Sequence, residues 1–317
     1  MSMGLKVFID GKEGTTGLRI FERLATRPEL EMVTLPENFR KDANARRDAI
    51  HQSDIAVLCL PDAAAKESVA LAEGSSTRIL DTSTAHRISD GWAYGFAELS
   101  PAHRDAIIHG SRVAVPGCHA SGFVSLVTPL TMAGLLPKDT ALSCFSLTGY
   151  SGGGKKMIAQ YEGEDRTNDL CSPRQYGLTQ LHKHLPEMQQ VPKLEKTPLF
   201  APIVADFYSG MEVTVPLHRE QLTCSNPMET ILECLNAHYA GSPIVQVLGP
   251  DDVAAMGGFI PSNALSGKDG MQLMVLGNDE RIQLVALFDN LGKGSSGAAL
   301  QCLNLMTGVD ETMGLNL

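Results

Sequence analysis

The sequence predicts an α/β domain built on a doubly wound parallel sheet, followed by an α+β domain with a mostly antiparallel sheet. Three observations carry this. Up to residue 117, short apolar β-rich runs alternate with helical ones, the rhythm of repeated βα units. Beyond residue 118 the texture changes to strand-like runs separated by turns and a few helices. Finally, 317 residues that are 43% apolar and 20% charged are enough for two cores of ordinary globular composition.

The first strand is read at residues 5–10, Leu-Lys-Val-Phe-Ile-Asp. Gly11-Lys-Glu-Gly14-Thr15-Thr16-Gly17 follows, and then an amphipathic stretch over 18–26. Strand, glycine turn and helix form the setting for a dinucleotide: glycines let the backbone approach, and the helix N-terminus receives a pyrophosphate. The spacing is G-x-x-G-x-x-G rather than G-x-G-x-x-G, so a glycine-rich turn without a ligand stays open at this point. Residues 31–35 read as the second strand. After it, Pro36 and Glu37 lead into a basic group, Arg40, Lys41, Arg46 and Arg47. That group suits the 2′-phosphate of NADP, or else a solvated surface loop.

Residues 54–60 are a continuous apolar strand of the buried parallel kind, ended by Pro61. A helix is expected over 63–73 and a strand over 78–80, leading to Asp81-Thr-Ser83-Thr-Ala-His-Arg87. Ligands of such sheets sit at the carboxyl ends of the strands, where Gly11 to Gly17, Pro61, Ser83 and Cys118 are all expected.

A strand over 112–115 then runs into Val-Pro-Gly-Cys-His-Ala-Ser-Gly at 115–122, before a helical run over 123–133. This puts Cys118 on a tight strand-to-helix turn, where the helix dipole and unpaired N–H groups favour a thiolate and can receive an oxyanion. A buried structural cysteine is the competing reading.

In the second half, strands are read over 142–147, 203–205, 211–217, 244–248, 272–276 and 282–288. Gly149-Tyr-Ser151-Gly-Gly-Gly-Lys155-Lys156 resembles a phosphate loop, but Lys156 stands where a Ser or Thr would hold Mg²⁺, which argues against an NTPase. Gly292-Lys-Gly294-Ser-Ser-Gly297 lies too near the end to open a second cofactor unit; the helix over 298–306 is expected to pack back on the first domain. His182-Lys-His184-Leu-Pro-Glu187 groups two imidazoles and a carboxylate. It fits a base for a cysteine nucleophile, an incomplete metal site, or a surface pair.

The net charge of −10 argues against nucleic acid and acidic membranes, and no window has the apolar length of a spanning helix. No signal region is expected at residues 1–4. Seven cysteines, an odd count with no C-x-x-C spacing, point to reduced thiols in the cytoplasm rather than to disulfides or zinc.

Taken together, Gly11 to Gly17, Asp81-x-Ser83-x-x-x-Arg87, Pro116-Gly117-Cys118, His182-x-His184-x-Pro186-Glu187 and Asn290-Leu-Gly-Lys-Gly-Ser-Ser-Gly297 resemble the N-acetyl-gamma-glutamyl-phosphate reductases, shorter form. These are arginine-biosynthetic relatives of aspartate-semialdehyde dehydrogenase. The likeness runs in order from residue 10 to about 305. It departs at Lys12-Glu13, where small residues are common, and at Val115, where Asn often stands.

The resemblance implies a Rossmann-type NADP-binding domain over 1–117, completed by about 291–317, and a catalytic, substrate and oligomerisation domain over 118–290. It implies an NADPH-dependent, phosphorylating enzyme, a homodimer or homotetramer acting on a small acyl phosphate, with no metal. Cys118 is then the nucleophile, with His184 and His182 as acid–base partners. Gly11, Gly14, Thr15, Thr16, Gly17, Ser83, Asn290 and Gly292 are assigned to the cofactor, and Arg87, Ser151 and Glu187 to the substrate. An aspartate-semialdehyde type of dehydrogenase and a non-catalytic, dinucleotide-binding redox sensor remain as alternatives.

Overall fold

The computed structural model describes residues 4–317, apart from the side chain of Thr15, and the expectation for residues 1–3 lies outside it. The chain divides into two units: residues up to Pro116 with Ala298–Gly314, and Gly117–Gly297 with Leu315–Leu317.

The first unit alternates β1 (Leu5–Asp10), α1 (Thr15–Leu24), β2 (Leu30–Val33), α2 (Ala43–His51), β3 (Ile55–Leu58) and α3 (Asp62–Leu71). It continues with β4 (Arg78–Asp81), a short β5 (Ala93–Tyr94), α4 (Pro101–His109) and β6 (Arg112–Ala114). All pairings in this six-stranded sheet are parallel, in the order β2-β1-β3-β4-β6-β5. Its central strand β3, Ile-Ala-Val-Leu, is buried throughout, as a parallel strand covered on both faces must be. The order reverses between β1 and β3, which opens a crevice at their carboxyl ends. Gly11 lies there with φ +86°, and a Cβ on it would run into the Cys59 carbonyl. Only glycine fits this turn.

One sequence expectation is corrected here. The basic stretch after β2 is partly a helix, α2, capped by Asp42, whose carboxylate accepts the Ala45 N–H at 2.8 Å. Arg46 points inward from it and is 5% exposed. Its guanidinium reaches Asp10 Oδ2 at 3.1 Å, Glu67 Oε2 at 3.0 Å and Ser68 Oγ at 2.5 Å. Ser68 donates in turn to Asp10 at 2.8 Å. Arg46 therefore ties β1, α2 and α3 together and is not a phosphate ligand. A buried carboxylate at the end of β1 needs this cation.

The second unit opens with α5 (Cys118–Met132), β7 (Ser143–Gly149), α6 (Gly154–Glu162), β8 (Arg174–Gln175), α7 (Leu185–Gln190) and β9 (Leu199–Ala205). Then come β10 (Met211–His218), α8 (Pro227–His238), β11 (Val245–Val247), α9 (Pro250–Ala255), β12 (Met271–Asn278) and β13 (Arg281–Phe288). Its seven-stranded sheet runs β11-β12-β13-β10-β7-β9-β8. It is mostly antiparallel, with β7–β9 and β11–β12 as the parallel pairs.

Helix α5 lies across β10 and β13 and begins five residues earlier than the sequence suggests, at Cys118 itself. Gly122 permits the close approach, since a Cβ there would sit 2.5 Å from Val213 Cγ2. Pro129 interrupts the helix ladder because it has no N–H for the Ser125 carbonyl. The Tyr239 hydroxyl at the end of α8 fills the gap, donating to that carbonyl at 2.7 Å. On the opposite sheet face, Phe145, Leu147, Leu199 and Ile203 share one side by register and are partly open, Phe145 at 48% and Leu199 at 66%.

A turn of π-helix over Gly292–Ser296 leads into α10 (Gly297–Thr307), whose residues from Ala298 belong to the first unit. There Asn304 accepts from Arg27 at 2.6 Å and Gln301 donates to Glu98 at 2.9 Å.

Candidate active site

Cys118 is the first residue of α5, with Gly117 as the N-cap. The helix geometry leaves the N–H groups of Cys118, His119 and Ala120 without intrahelical acceptors, while Ser121 closes the first turn on the Gly117 carbonyl at 2.8 Å. The thiol is half-buried and in no disulfide. Two features fix it. The N–H of Gly117 donates to Glu187 Oε2 at 2.9 Å, so a buried carboxylate from α7 holds the turn before the cysteine. Gly294, in the π-turn, packs so closely that a Cβ there would stand 2.9 Å from Cys118 Cβ.

The two histidines precede α7 on the same segment as Glu187. His182 Nδ1 accepts the backbone N–H of His184 at 3.2 Å, and the rings meet edge-on with centroids 4.7 Å apart. A third imidazole joins them. His119, next to Cys118 on α5, lies 5.5 Å from both rings. Its Nδ1 is 2.7 Å from Ser146 Oγ on β7, and its Nε2 is 2.6 Å from the Tyr176 hydroxyl. Burial, helped by the charges of His182 and Lys183, pushes His119 down to about 3, so it is neutral. Burial also raises the Tyr176 phenol, and the Cys118 charge adds to that shift. Among the described residues no group of His, Cys, Asp or Glu is arranged to hold a metal ion.

The structure thus brings Cys118, His182, His184 and Glu187 into one unit and adds His119, Tyr176 and Ser146, which sequence reasoning missed. His119 had one signal, its place directly after the cysteine; Tyr176 and Ser146 had none. Ser151 and Asn290 are in the same unit, tied to each other. Asn290 accepts the Gly210 N–H at 2.9 Å and donates to Ser151 Oγ at 3.0 Å. Gly292 is a close-approach glycine, since a Cβ would meet the Lys268 carbonyl.

The other candidates lie in the first unit. Gly11, Gly14, Thr16 and Gly17 form the loop and first turn above β1. A Cβ on Gly17 would sit 2.5 Å from the Gly11 carbonyl; the side chain of Thr15 is outside the described set. The crevice beside them is lined by Lys12, Glu13, Thr34, Leu35 and Arg40. Ser83 is held by Asp81, through its N–H at 2.9 Å and its hydroxyl at 2.7 Å. Arg87 donates to the carbonyls of Val115 at 2.9 Å and Thr82 at 3.2 Å, bracing the ends of β6 and β4.

Two family profiles match the chain: "Semialdehyde dehydrogenase, NAD binding domain" over residues 6–107, and "Semialdehyde dehydrogenase, dimerisation domain" over 118–290. The chain belongs to the semialdehyde dehydrogenase family. Within that family, relatives from Brucella ovis and Brucella abortus are each 48% identical over 307 residues, covering 96% of this chain and 99% of theirs. Both are named N-acetyl-gamma-glutamyl-phosphate reductase. Among solved structures, the aspartate semialdehyde dehydrogenase of Francisella tularensis aligns with a TM-score of 0.71 at 15% identity, covering 96% of this chain and 100% of that one. The Candida albicans enzyme, solved with NADP, aligns at 0.69 and 15%, covering 96% and 98%. At that identity these two speak for the semialdehyde dehydrogenase fold alone.

Proposed function

We propose that this chain reduces N-acetyl-L-glutamyl 5-phosphate with NADPH to N-acetyl-L-glutamate 5-semialdehyde, releasing phosphate, as a step of arginine biosynthesis. The observation that carries the reading is Cys118 at the start of α5, linked through Glu187 to the His182–His184 segment. It stands in a chain aligned almost end to end with relatives of that name.

The first unit fits a dinucleotide. Gly11 and Gly17 have no room for a Cβ, α1 starts above the crevice, and Arg40 Nε is a buried donor with no protein acceptor. Gly11, Gly14, Thr16 and Gly17 would hold the pyrophosphate, and Arg40 beside Thr34 the 2′-phosphate, in place of Arg46. Bound NADPH supplies the hydride that reduces the acyl group. The chain's own residues do the rest. Cys118, as thiolate, attacks the acyl carbon and expels phosphate, leaving a thioester that is a better hydride acceptor than a carboxylate. The N–H groups of the first turn of α5 point toward the carbonyl oxygen and receive it as it gains charge. His184, as imidazolium with His182 beside it, stabilises the thiolate and gives a proton to the thiohemiacetal oxygen. It takes that proton back as the aldehyde forms and sulfur leaves. Arg87, Ser151 and Asn290 act in this scheme by bracing the strand ends and the 149–154 loop.

The exposed Phe145–Leu199 face of the second sheet supports a homodimer or homotetramer. We place the enzyme in the cytoplasm on its seven cysteines, none in a disulfide, as a reducing compartment keeps them; no described helix is long and apolar enough to cross a membrane.

The test is phosphate-dependent reduction of NADP⁺ with N-acetylglutamate semialdehyde, against aspartate semialdehyde as the rival substrate. Cys118→Ser should nearly abolish turnover while leaving NADPH binding intact. A serine variant with near wild-type turnover would refute the thioester route.

A further inference from the structure

The reaction above gives His119 no task, yet its ring is firmly held. It is 2% exposed, and both ring nitrogens are engaged, by Ser146 Oγ at 2.7 Å and Tyr176 Oη at 2.6 Å. A neutral imidazole has one N–H and one lone pair, so one hydroxyl accepts, the other donates, and the ring is satisfied at both ends. Ser146 is fully buried on β7, and Tyr176 follows β8 with its N–H on the Pro202 carbonyl at 3.0 Å. Three separate elements therefore set the plane of one ring.

That plane is a contact surface. His182 meets it at 89°, His184 at 52° and Phe200 at 70°, all with centroids within 5.5 Å. The groups of variable charge facing it are His182, Lys183 and His184 from the segment before α7, Tyr176, and Cys118 on its own helix. His119 is kept neutral, so it adds no charge of its own beside His182 and His184.

We propose that His119, clamped between the Ser146 and Tyr176 hydroxyls, is a positioning residue whose fixed ring sets the orientation of His184 and His182 toward Cys118. This rests on the function proposed above and deepens it. His119 and Cys118 are consecutive on the first turn of α5, so the nucleophile and the wall that aims its acid–base partner share one piece of backbone. Errors of about 1 Å in such an arrangement cost up to about 10²-fold in rate.

Ser146→Ala and Tyr176→Phe each remove one hydroxyl, and the double variant removes both. Three quantities are measured: kcat and KM for semialdehyde oxidation, Tm, and the pH dependence of iodoacetamide labelling of the Cys118 peptide without substrate or cofactor. Each single variant should lower kcat by about tenfold with KM within about twofold, and displace the labelling midpoint by at least about half a pH unit. Because both act through one ring, the double variant should lose little more than the worse single. Tyr239→Phe, which breaks the Ser125 bond on the same helix, is the control: Tm falls, while kcat and the labelling midpoint stay. Folded single variants with wild-type kcat and midpoint overturn the proposal, as do losses that multiply in the double variant. If the wild-type protein turns over neither semialdehyde, the functional reading fails instead, while the labelling profiles still report on the clamp.

Discussion

Gly294→Ala is the most economical probe of how tightly the nucleophile is held. The backbone at Gly294 is not left-handed, so alanine brings no conformational strain, only one methyl group. That methyl would lie 2.9 Å from Cys118 Cβ, 3.1 Å from the Asp289 carbonyl oxygen and 3.2 Å from Phe288 Cε2. Comfortable carbon–carbon contact is about 3.5–4.0 Å, so roughly 0.6–1.1 Å must be found. The carbonyl and the buried phenyl ring close two directions of escape, and much of the movement passes to Cys118. A displacement of that size at a reacting atom predicts a loss of about 10- to 100-fold in kcat. The overpacking should cost about 1–3 kcal/mol of stability, which leaves the chain folded at 25 °C. The assay is NADP⁺ reduction at saturating semialdehyde and phosphate, with circular dichroism and Tm on the same sample. A folded Gly294→Ala enzyme with kcat within about twofold of wild type would show that Cys118 tolerates the shift, and the positional argument would fall.

His184→Ala should lower turnover by at least about 10²-fold, as loss of a general acid–base does, and by more than His182→Ala; the reverse ranking in kcat would exchange their roles. Arg40→Ala should raise the Kd of NADPH by about tenfold or more and leave NADH unchanged, measured by nicotinamide fluorescence; equal effects on both would remove it from the 2′-phosphate. His119, held at about 3 in the folded chain against 6.5 ordinarily, should not titrate between pH 5 and 8 in its imidazole NMR signals. Between those values the unfolded chain takes up a proton that the folded one refuses. This contribution to stability, at most about 5 kcal/mol, is full above pH 6.5 and is lost as pH falls toward 3. An NMR midpoint near 6 for His119 would contradict it.

Five of the six strands of the first sheet were legible, the two-residue β5 being too short to leave a pattern; the clearest is written as a continuous apolar run, Ile55–Leu58, because a parallel strand is buried on both faces. Cys118 was legible because Pro116-Gly117 ends a strand shortly before a helical run, although the small residues between hid that the helix starts at Cys118 itself. Helix α2 was not: Ala-Asn-Ala-Arg-Arg-Asp-Ala-Ile-His has no wide apolar stripe, and its inward-facing Arg46 looks like any surface cation until Asp10, thirty-six residues earlier, is folded against it. The same limit hid the His119 clamp. Its hydroxyl partners are 27 and 57 residues away, and nothing local in Ser146 or Tyr176 marks them. His182 and His184 stood out only because their pairing is local.

Pro129 has a kinetic consequence. Because it cannot donate to Ser125, the middle of α5 lacks a bond that local coil-to-helix propagation would supply, and the replacement donor, Tyr239, lies 114 residues along the chain. The helix that carries the nucleophile therefore cannot be completed while it is being made. It waits for α8 to dock, which couples its final order to long-range assembly. Tyr239→Phe should accordingly speed unfolding more than it slows refolding, the signature of a contact formed after the rate-limiting barrier.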